Sequence, residues 1–193
     1  MDEDLSAMQR LQAGEDAALE LLMARHKDAI FRLTFRFTGN ASDAADITED
    51  TFVKVYFKAH QYKPSAKVKT WIFTIAANLS RDFLRRAKKR RSTFSMHTTK
   101  TNEDAHGIEE TLTGNERAPS EQAEMSDQLR AVEVAIQGLP YKLRFPFTFC
   151  ILEAHSYSEC AEILKVSSKT IETRIYRARQ KLKSALPTEL QSR

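Results

Sequence analysis

Apolar residues return along this chain in steps of three and four, and that rhythm predicts helices nearly throughout. Leu19, Leu22, Met23, His26, Ile30, Leu33 and Phe37 share one face of a long helix that Thr38-Gly39-Asn40 would end. Ser42 is suited to cap the next helix, with Asp43 and Asp46 in its first turns. Its inward face would be Ala44, Ile47, Thr48, Thr51, Phe52, Val55, Tyr56 and Ala59. Lys63-Pro64-Ser65 reads as a loop. A third helix turns Ile72, Ile75, Ala76, Leu79 and Phe83 inward and ends in the basic run Arg85-Arg86-Ala87-Lys88-Lys89-Arg90-Arg91.

From 96 to 122 the helical period lapses. Thr, Glu, Asn and Gly dominate and Pro119 closes the stretch, the composition of a flexible linker. Met125, Leu129, Val132 and Ile136 then resume the period. Gly138 stands where a helix is commonly ended, and Pro140 suits the first turn of a following helix. That helix should reach about Glu153 with Leu143, Phe147 and Ile151 inward. Pro146 lies inside it, and an interior proline costs about 3 kcal/mol, so a bend or a late start is expected. No segment alternates with the period of a strand. The pattern predicts an all-α fold: two small helical domains, 1–95 and 123–193, joined by a linker over 96–122.

The last third carries the sharpest local signals. Ser156 and Glu159 have the spacing of a capping box, so a short helix should run from there through Leu164. Ala161 is small enough for two helices to cross closely. Lys165-Val166-Ser167 makes a tight turn in which Lys165 must take a left-handed conformation better suited to glycine. Ser167 can cap a second helix that buries Ile171, Ile175 and Leu182. Its other face offers Ser168, Lys169, Glu172, Thr173, Arg174 and Arg177. Short helix, tight turn and basic second helix describe a helix-turn-helix, whose second helix enters the DNA major groove. Residues near its start can reach base edges, while Arg177, Arg179, Lys181 and Lys183 are placed for phosphates.

Charge sharpens this picture. Residues 1–97 hold 17 Lys and Arg against 12 Asp and Glu; residues 98–127 hold two against eight; residues 128–193 hold 11 against six. Two basic blocks flank an acidic one, as expected of a chain with a polyanionic partner. Five glycines argue against Rossmann and phosphate-loop folds. No apolar run approaches the ~20 residues of a membrane span, and the acidic amphipathic start MDEDLSAMQR is unlike a secretory signal. Two cysteines cannot form a disulfide scaffold, so a reducing, cytoplasmic setting is expected. Cys150, His155 and Cys160 lack a zinc-motif spacing, and we expect them to be buried or incidental, with no metal or other cofactor. His26 on an apolar face reads as a core histidine. No nucleophile with a base, no catalytic carboxylate pair and no phosphate loop is present, so an enzyme is not expected.

The residues from Ser156-Tyr157-Ser158-Glu159 through Arg177-Ala178-Arg179 closely resemble region 4 of the bacterial extracytoplasmic-function (ECF) sigma factors, and Leu139-Pro140 matches its start. Asp43-Ala44-Ala45-Asp46-Ile47-Thr48-Glu49-Asp50-Thr51-Phe52 resembles region 2.2 of the same family. Thr70-Trp71-Ile72-Phe73-Thr74-Ile75-Ala76-Ala77-Asn78-Leu79 resembles regions 2.3 and 2.4. The resemblance spans nearly everything but the linker. It implies a factor that binds core RNA polymerase and directs initiation at chosen promoters, without a small-molecule substrate. It also implies control by an anti-sigma factor, membrane-anchored in many cases.

By resemblance, Asp43, Asp46, Glu49, Asp50 and Phe52 would dock on the polymerase clamp; Glu49 replaces the usual Gln. The melted −10 strand would meet Lys63, Lys67, Lys69, Thr70, Trp71, Thr74, Asn78, Arg81 and Arg85. Asn78 and the loop before Trp71 would hold a flipped base, whose hydrogen-bonding edge an amide can read. Trp71 is equally suited to a core position, and Val68 replaces the usual Phe. The −35 duplex would meet Ser168, Lys169, Glu172, Thr173, Arg174, Arg177, Arg179 and Lys181. The competing reading is a one-component regulator with an N-terminal sensor half; a third is a sigma mimic that only sequesters an anti-sigma factor. How the two domains would sit against each other is open at this point.

Overall fold

In a computed structural model, residues 2–97 and 121–186 are described, with side chains at 2–87 and 129–186. Among them the chain is helical, without strands. Helix α1 spans Glu3–Gln12, α2 Ala17–Thr38, α3 Ala41–Lys58 and α4 Val68–His97, with a 3-10 turn at Ala59–Gln61. Helix α5 spans Glu121–Gln137 and α6 Tyr141–Phe147, followed by a π-helical turn at Thr148–Leu152. Helices α7, Tyr157–Leu164, and α8, Ser168–Ala185, complete the fold. Helix α4 continues past the basic run expected to end it, and the expected linker loses its first and last two residues to α4 and α5. The linker expectation otherwise falls on 98–120, outside the described residues.

Helices α1–α4 pack around Met8, Leu22, Ile30, Leu33, Val55, Ile72 and Phe73, all essentially inaccessible. Helix α1, which carried no expectation, is held to α2 by Asp4, whose carboxylate meets Arg25 at 3.0 Å and the buried His26 at 2.8 Å. His26 is therefore a core histidine with a partner. Gly39 ends α2 in a left-handed conformation, φ 69°. The chain reverses so tightly there that Asn40, not Ser42, caps α3, its Oδ1 accepting from the Asp43 N–H at 3.0 Å. Of the face expected inward on α3, Tyr56 is exposed. Leu129, expected inward on α5, is 60% exposed.

The helix through Pro146 neither starts late nor stops there. It runs from Tyr141, with Pro140 as its N-cap, and the disturbance appears as the π turn directly after the proline. Phe147 packs with Ile136, Leu139, Ala178 and Leu182 in a small core, against which Leu143 and Ile151 lie partly buried. Gly138 does not take the left-handed conformation of a helix stop. In the helix-turn-helix, Ser156 and Glu159 form the capping box, Lys165 is left-handed at φ 53°, and Ser167 caps α8 by accepting from the Thr170 N–H.

The two helical halves are not separate. Phe145, Phe149, Cys160, Ala161, Ile163, Ile171 and Ile175 join the same buried cluster as Phe37, Ile72 and Phe73.

Candidate nucleic-acid interface

The second helix of the helix-turn-helix, α8, presents its surface cleanly. Ile171, Ile175, Ala178 and Leu182 of α8 are buried, so the opposite face must look outward. Ser168, Lys169, Glu172, Thr173, Arg177, Arg179 and Lys181 are exposed, and Arg174 is half-buried at the edge. The Thr173 hydroxyl donates back to the Lys169 carbonyl at 2.9 Å. Exposed cations on one helix face are what a phosphate backbone and a groove require.

On α3, Asp46, Glu49 and Asp50 are exposed and Asp43 is half-exposed. Phe52 is 2% exposed and belongs to the core. It supports the helix from inside, and its side chain cannot form part of a docking surface. The residues the sequence reasoning passed over are Val53, 50% exposed, and Phe57, 68% exposed. With Asp46 and Asp50 they recur at i, i+4, i+7 and i+11, one outward stripe that begins acidic and ends apolar. The helical period contained this signal, because residues 46, 50, 53 and 57 lie opposite the buried Ala44, Thr48, Thr51 and Val55.

The start of α4 is more enclosed. Lys63 and Lys67 are exposed in the preceding loop, as are Asn78, Arg81 and Arg85 along the helix. Arg85 lies 3.7 Å from Asp82. Thr70 is 4% exposed, so its side chain is structural in this arrangement; its carbonyl accepts from the Thr74 hydroxyl at 2.8 Å. Trp71 is half-buried with its ring edge-on to Tyr62 at 5.6 Å. The Tyr62 hydroxyl in turn donates to the Ala66 carbonyl at 2.7 Å and pins the loop.

Lys69 points at the other half of the molecule. Its ammonium lies 3.7 Å from the Glu159 carboxylate and 3.4 Å from the His155 Nδ1. The His155 ring stacks on Phe149 at 4.1 Å and meets Phe73 edge-on at 5.4 Å. Burial, and then the Lys69 charge, hold His155 below the ordinary imidazole value. Glu159 is pushed up by burial, but hydrogen bonds from the Ser156 N–H and hydroxyl, with the Lys69 charge, outweigh that and leave it below the ordinary range.

Two further links close this junction. Glu153 receives Arg32 at 3.2 Å and Arg36 at 3.1 Å, both from α2. Arg144, 8% exposed, donates to the Leu139 carbonyl from Nε and Nη2 and to the Phe37 carbonyl at 3.3 Å. No carboxylate pairs with it among the described residues, and burial lowers its proton affinity. A cation fits there because Phe37 lies in the last turn of α2, where carbonyls carry the negative end of the helix dipole. The Tyr141 hydroxyl donates to the Ala77 carbonyl at 2.9 Å, and burial raises its proton affinity. A Cβ on Gly39 would run into the Gln137 side chain. Among the described residues no group of three His, Cys, Asp or Glu could hold a metal. No described helix is long and apolar enough to cross a membrane.

Comparison with known proteins matches the same two halves. Residues 22–90 fit the family model for sigma-70 region 2, and residues 129–182 that for sigma-70 region 4. The RNA polymerase sigma-H factor of Pseudomonas aeruginosa is 30% identical over 186 residues, 96% of this chain and 94% of that protein. The ECF RNA polymerase sigma factor SigW of Bacillus subtilis is 24% identical over 93% of this chain and 94% of its own length. Among solved structures, CnrH in complex with the cytosolic domain of CnrY aligns over 95% of this chain and 96% of its own, at 23% identity and TM-score 0.67. The sigma factor RpoE in complex with the anti-sigma factor NepR from Bartonella quintana aligns over 88% and 97%, at 19% identity and TM-score 0.59. These two likenesses are of fold.

Proposed function

This chain belongs to the ECF RNA polymerase sigma factors of the sigma-70 family, and from that premise we propose how its surfaces divide the work. Sigma regions 2 and 4 engage core RNA polymerase and promoter DNA. The reading of a sensor half beside a lone helix-turn-helix is not favoured, because the N-terminal half matches region 2. Sigma factors are initiation factors, and we read this chain as having no catalysis of its own and acting in the cytoplasm.

The observation that carries the residue assignment is the outward polar face of α8, set opposite its fully buried apolar stripe. Ser168, Lys169, Glu172, Thr173 and Arg174 would read the −35 bases, with Arg177, Arg179 and Lys181 on phosphates. Asp43, Asp46, Glu49 and Asp50, extended by Val53 and Phe57, would dock on a basic and apolar polymerase surface. Lys63, Lys67, Lys69, Asn78, Arg81 and Arg85 would track the melted −10 strand, with Trp71 as a stacking platform. Lys69 can take a phosphate only after leaving Glu159, so we read this packing as the closed form, with α4 and α7 parting on the polymerase. An anti-sigma factor is the partner expected to favour the closed form. We take the domains as 1–95 and 123–193, with the acidic linker between.

The test is binding to bacterial core RNA polymerase followed by transcription in vitro from a pool of promoters. Stable binding with initiation from one −35/−10 class supports the assignment. No polymerase binding, with tight duplex binding by the chain alone, would turn the reading to a one-component regulator.

A further inference from the structure

Helix α1 lies outside the residues matched to sigma-70 region 2, which begin at 22. Its last residue, Gln12, nevertheless bonds to groups 47 and 50 positions further along the chain. The Gln12 Nε2 donates to the Ala59 carbonyl at 2.8 Å and to the Tyr62 carbonyl at 3.1 Å. Two acceptors face one amide atom, so that atom must be the nitrogen, and each of its hydrogens has a partner. The two carbonyls belong to the first residue of the 3-10 turn Ala59–Gln61 and to the residue that follows it. The turn's own bond, from the Tyr62 N–H to the Ala59 carbonyl at 3.0 Å, lies between them. Gln12 therefore clamps the point at which the chain leaves α3 for the loop before α4.

Tyr62 passes this hold on in two directions. Its hydroxyl donates to the Ala66 carbonyl at 2.7 Å, which fixes the loop carrying the exposed Lys63 and Lys67. Its buried ring meets Trp71 edge-on. On one side the loop borders an open cleft, lined by Asp2 and Leu5 of α1 and by Pro64, Ser65 and Lys67. That side is set by hydrogen bonds more than by packing. Helix α1 itself is firmly seated, because Met8 and Leu11 are buried and Asp4 holds Arg25 and His26 of α2.

We propose that Gln12 is a positioning residue for the melted −10 strand: through Tyr62 it holds Lys63, Lys67 and Trp71 in the arrangement that receives the backbone and a base. The proposal rests on the assignment of that strand to this loop and to α4. Gln12 itself touches no DNA. Its contribution is preorganisation, since a loop already fixed loses less freedom when the strand binds.

The experiment uses the full chain, alone and on bacterial core RNA polymerase. Gln12→Met keeps the length without the donors, and Gln12→Glu sets an oxygen against both carbonyls. Trp71 is the single tryptophan, so acrylamide quenching of emission from the chain alone reads this site directly. Quenching should rise in both variants. The DNA probe is the single-stranded non-template −10 segment of a promoter recovered by transcription from the pool. Its affinity for the polymerase-bound chain should fall about three- to tenfold, the effect of two partly exposed hydrogen bonds, with Gln12→Glu at least as weak as Gln12→Met. Binding to core polymerase and to −35 duplex should stay as in the wild type. A purely structural role would instead lower the Tm and weaken all three interactions together, and that result would overturn the proposal. Unchanged quenching, or single-strand affinity equal to that of a binding wild type, would overturn it and leave the −10 assignment standing. No single-strand binding by the wild type would overturn both.

Discussion

The two basic helices of this molecule to which we assign DNA contacts, α8 and α4, differ in what surrounds them. Helix α8 buries one narrow stripe against α6 and α7 and leaves its cations in water. Helix α4 is packed by α2 and α3 on one side and by α7 on the other, so Lys69 finds its counter-ion, Glu159, inside the protein. The difference teaches that equal basicity does not give equal availability. Under the proposed assignment, one surface is open to a polyanion, whereas on the other a phosphate would first have to displace the Glu159 carboxylate from Lys69.

The harshest way to break this contrast is to remove what holds the halves together. Arg144→Ala strips a buried guanidinium from two carbonyls, one of them across the junction, and leaves a cavity. We expect a loss of about 2–4 kcal/mol in urea unfolding. Arg144→Met keeps most of the packing and should cost less. On the open surface, Arg174→Ala and Lys169→Ala should each weaken −35 duplex binding by about 1–3 kcal/mol and relax base preference. Arg177→Ala should weaken binding to all sequences and lower the salt slope by about 1.

Joint replacement Asp46→Ala with Asp50→Ala should reduce polymerase binding several-fold, mostly in association rate at low salt, since exposed charges act chiefly by steering. Duplex binding by α8 should not change. Normal polymerase binding by this variant would remove α3 from the docking surface.

Acid should act selectively at the junction. His155 faces Lys69, Glu159, Glu153 and Arg32, and it binds its proton less readily here than in the unfolded chain. Its contribution is therefore complete above the ordinary imidazole value of about 6.5 and is lost as pH falls through that value. The Tm should drop over that window, and His155→Gln should flatten the profile. The smallest effect belongs to Glu159→Gln, which can still accept at the capping box but frees Lys69. Stability should change by less than about 1 kcal/mol, since the pair is partly exposed, while affinity for single-stranded −10 DNA rises. An unchanged single-strand affinity would dissolve the contrast between the two helices.

Much of the candidate site was legible because it depends on near neighbours. The Ser156–Glu159 box, the left-handed Lys165 and the Ser167 cap each involve residues within a few positions, and each is found where the spacing puts it. The errors arose where a local preference met a neighbouring constraint. Ser42 is a good cap, but the reversal at Gly39 had already let Asn40 take the role. Phe52 sits beside acidic residues in sequence yet lies on the inner face, while Phe57, five residues later, looks out. Pro146 is costly in isolation, yet the helix runs through it and widens after it.

By itself, then, the sequence determined the all-α class, the helix-turn-helix with its caps, the family, and the charge carried by each face. Those properties follow from period, spacing and residue chemistry, which act over one or two turns. Only the tertiary structure decided that Lys69 meets Glu159, that Arg144 reaches the end of α2, and that Gln12 reaches the carbonyls of Ala59 and Tyr62. Such contacts depend on how helices far apart in the chain, or on either side of a turn, are finally laid against each other, and no local period records that.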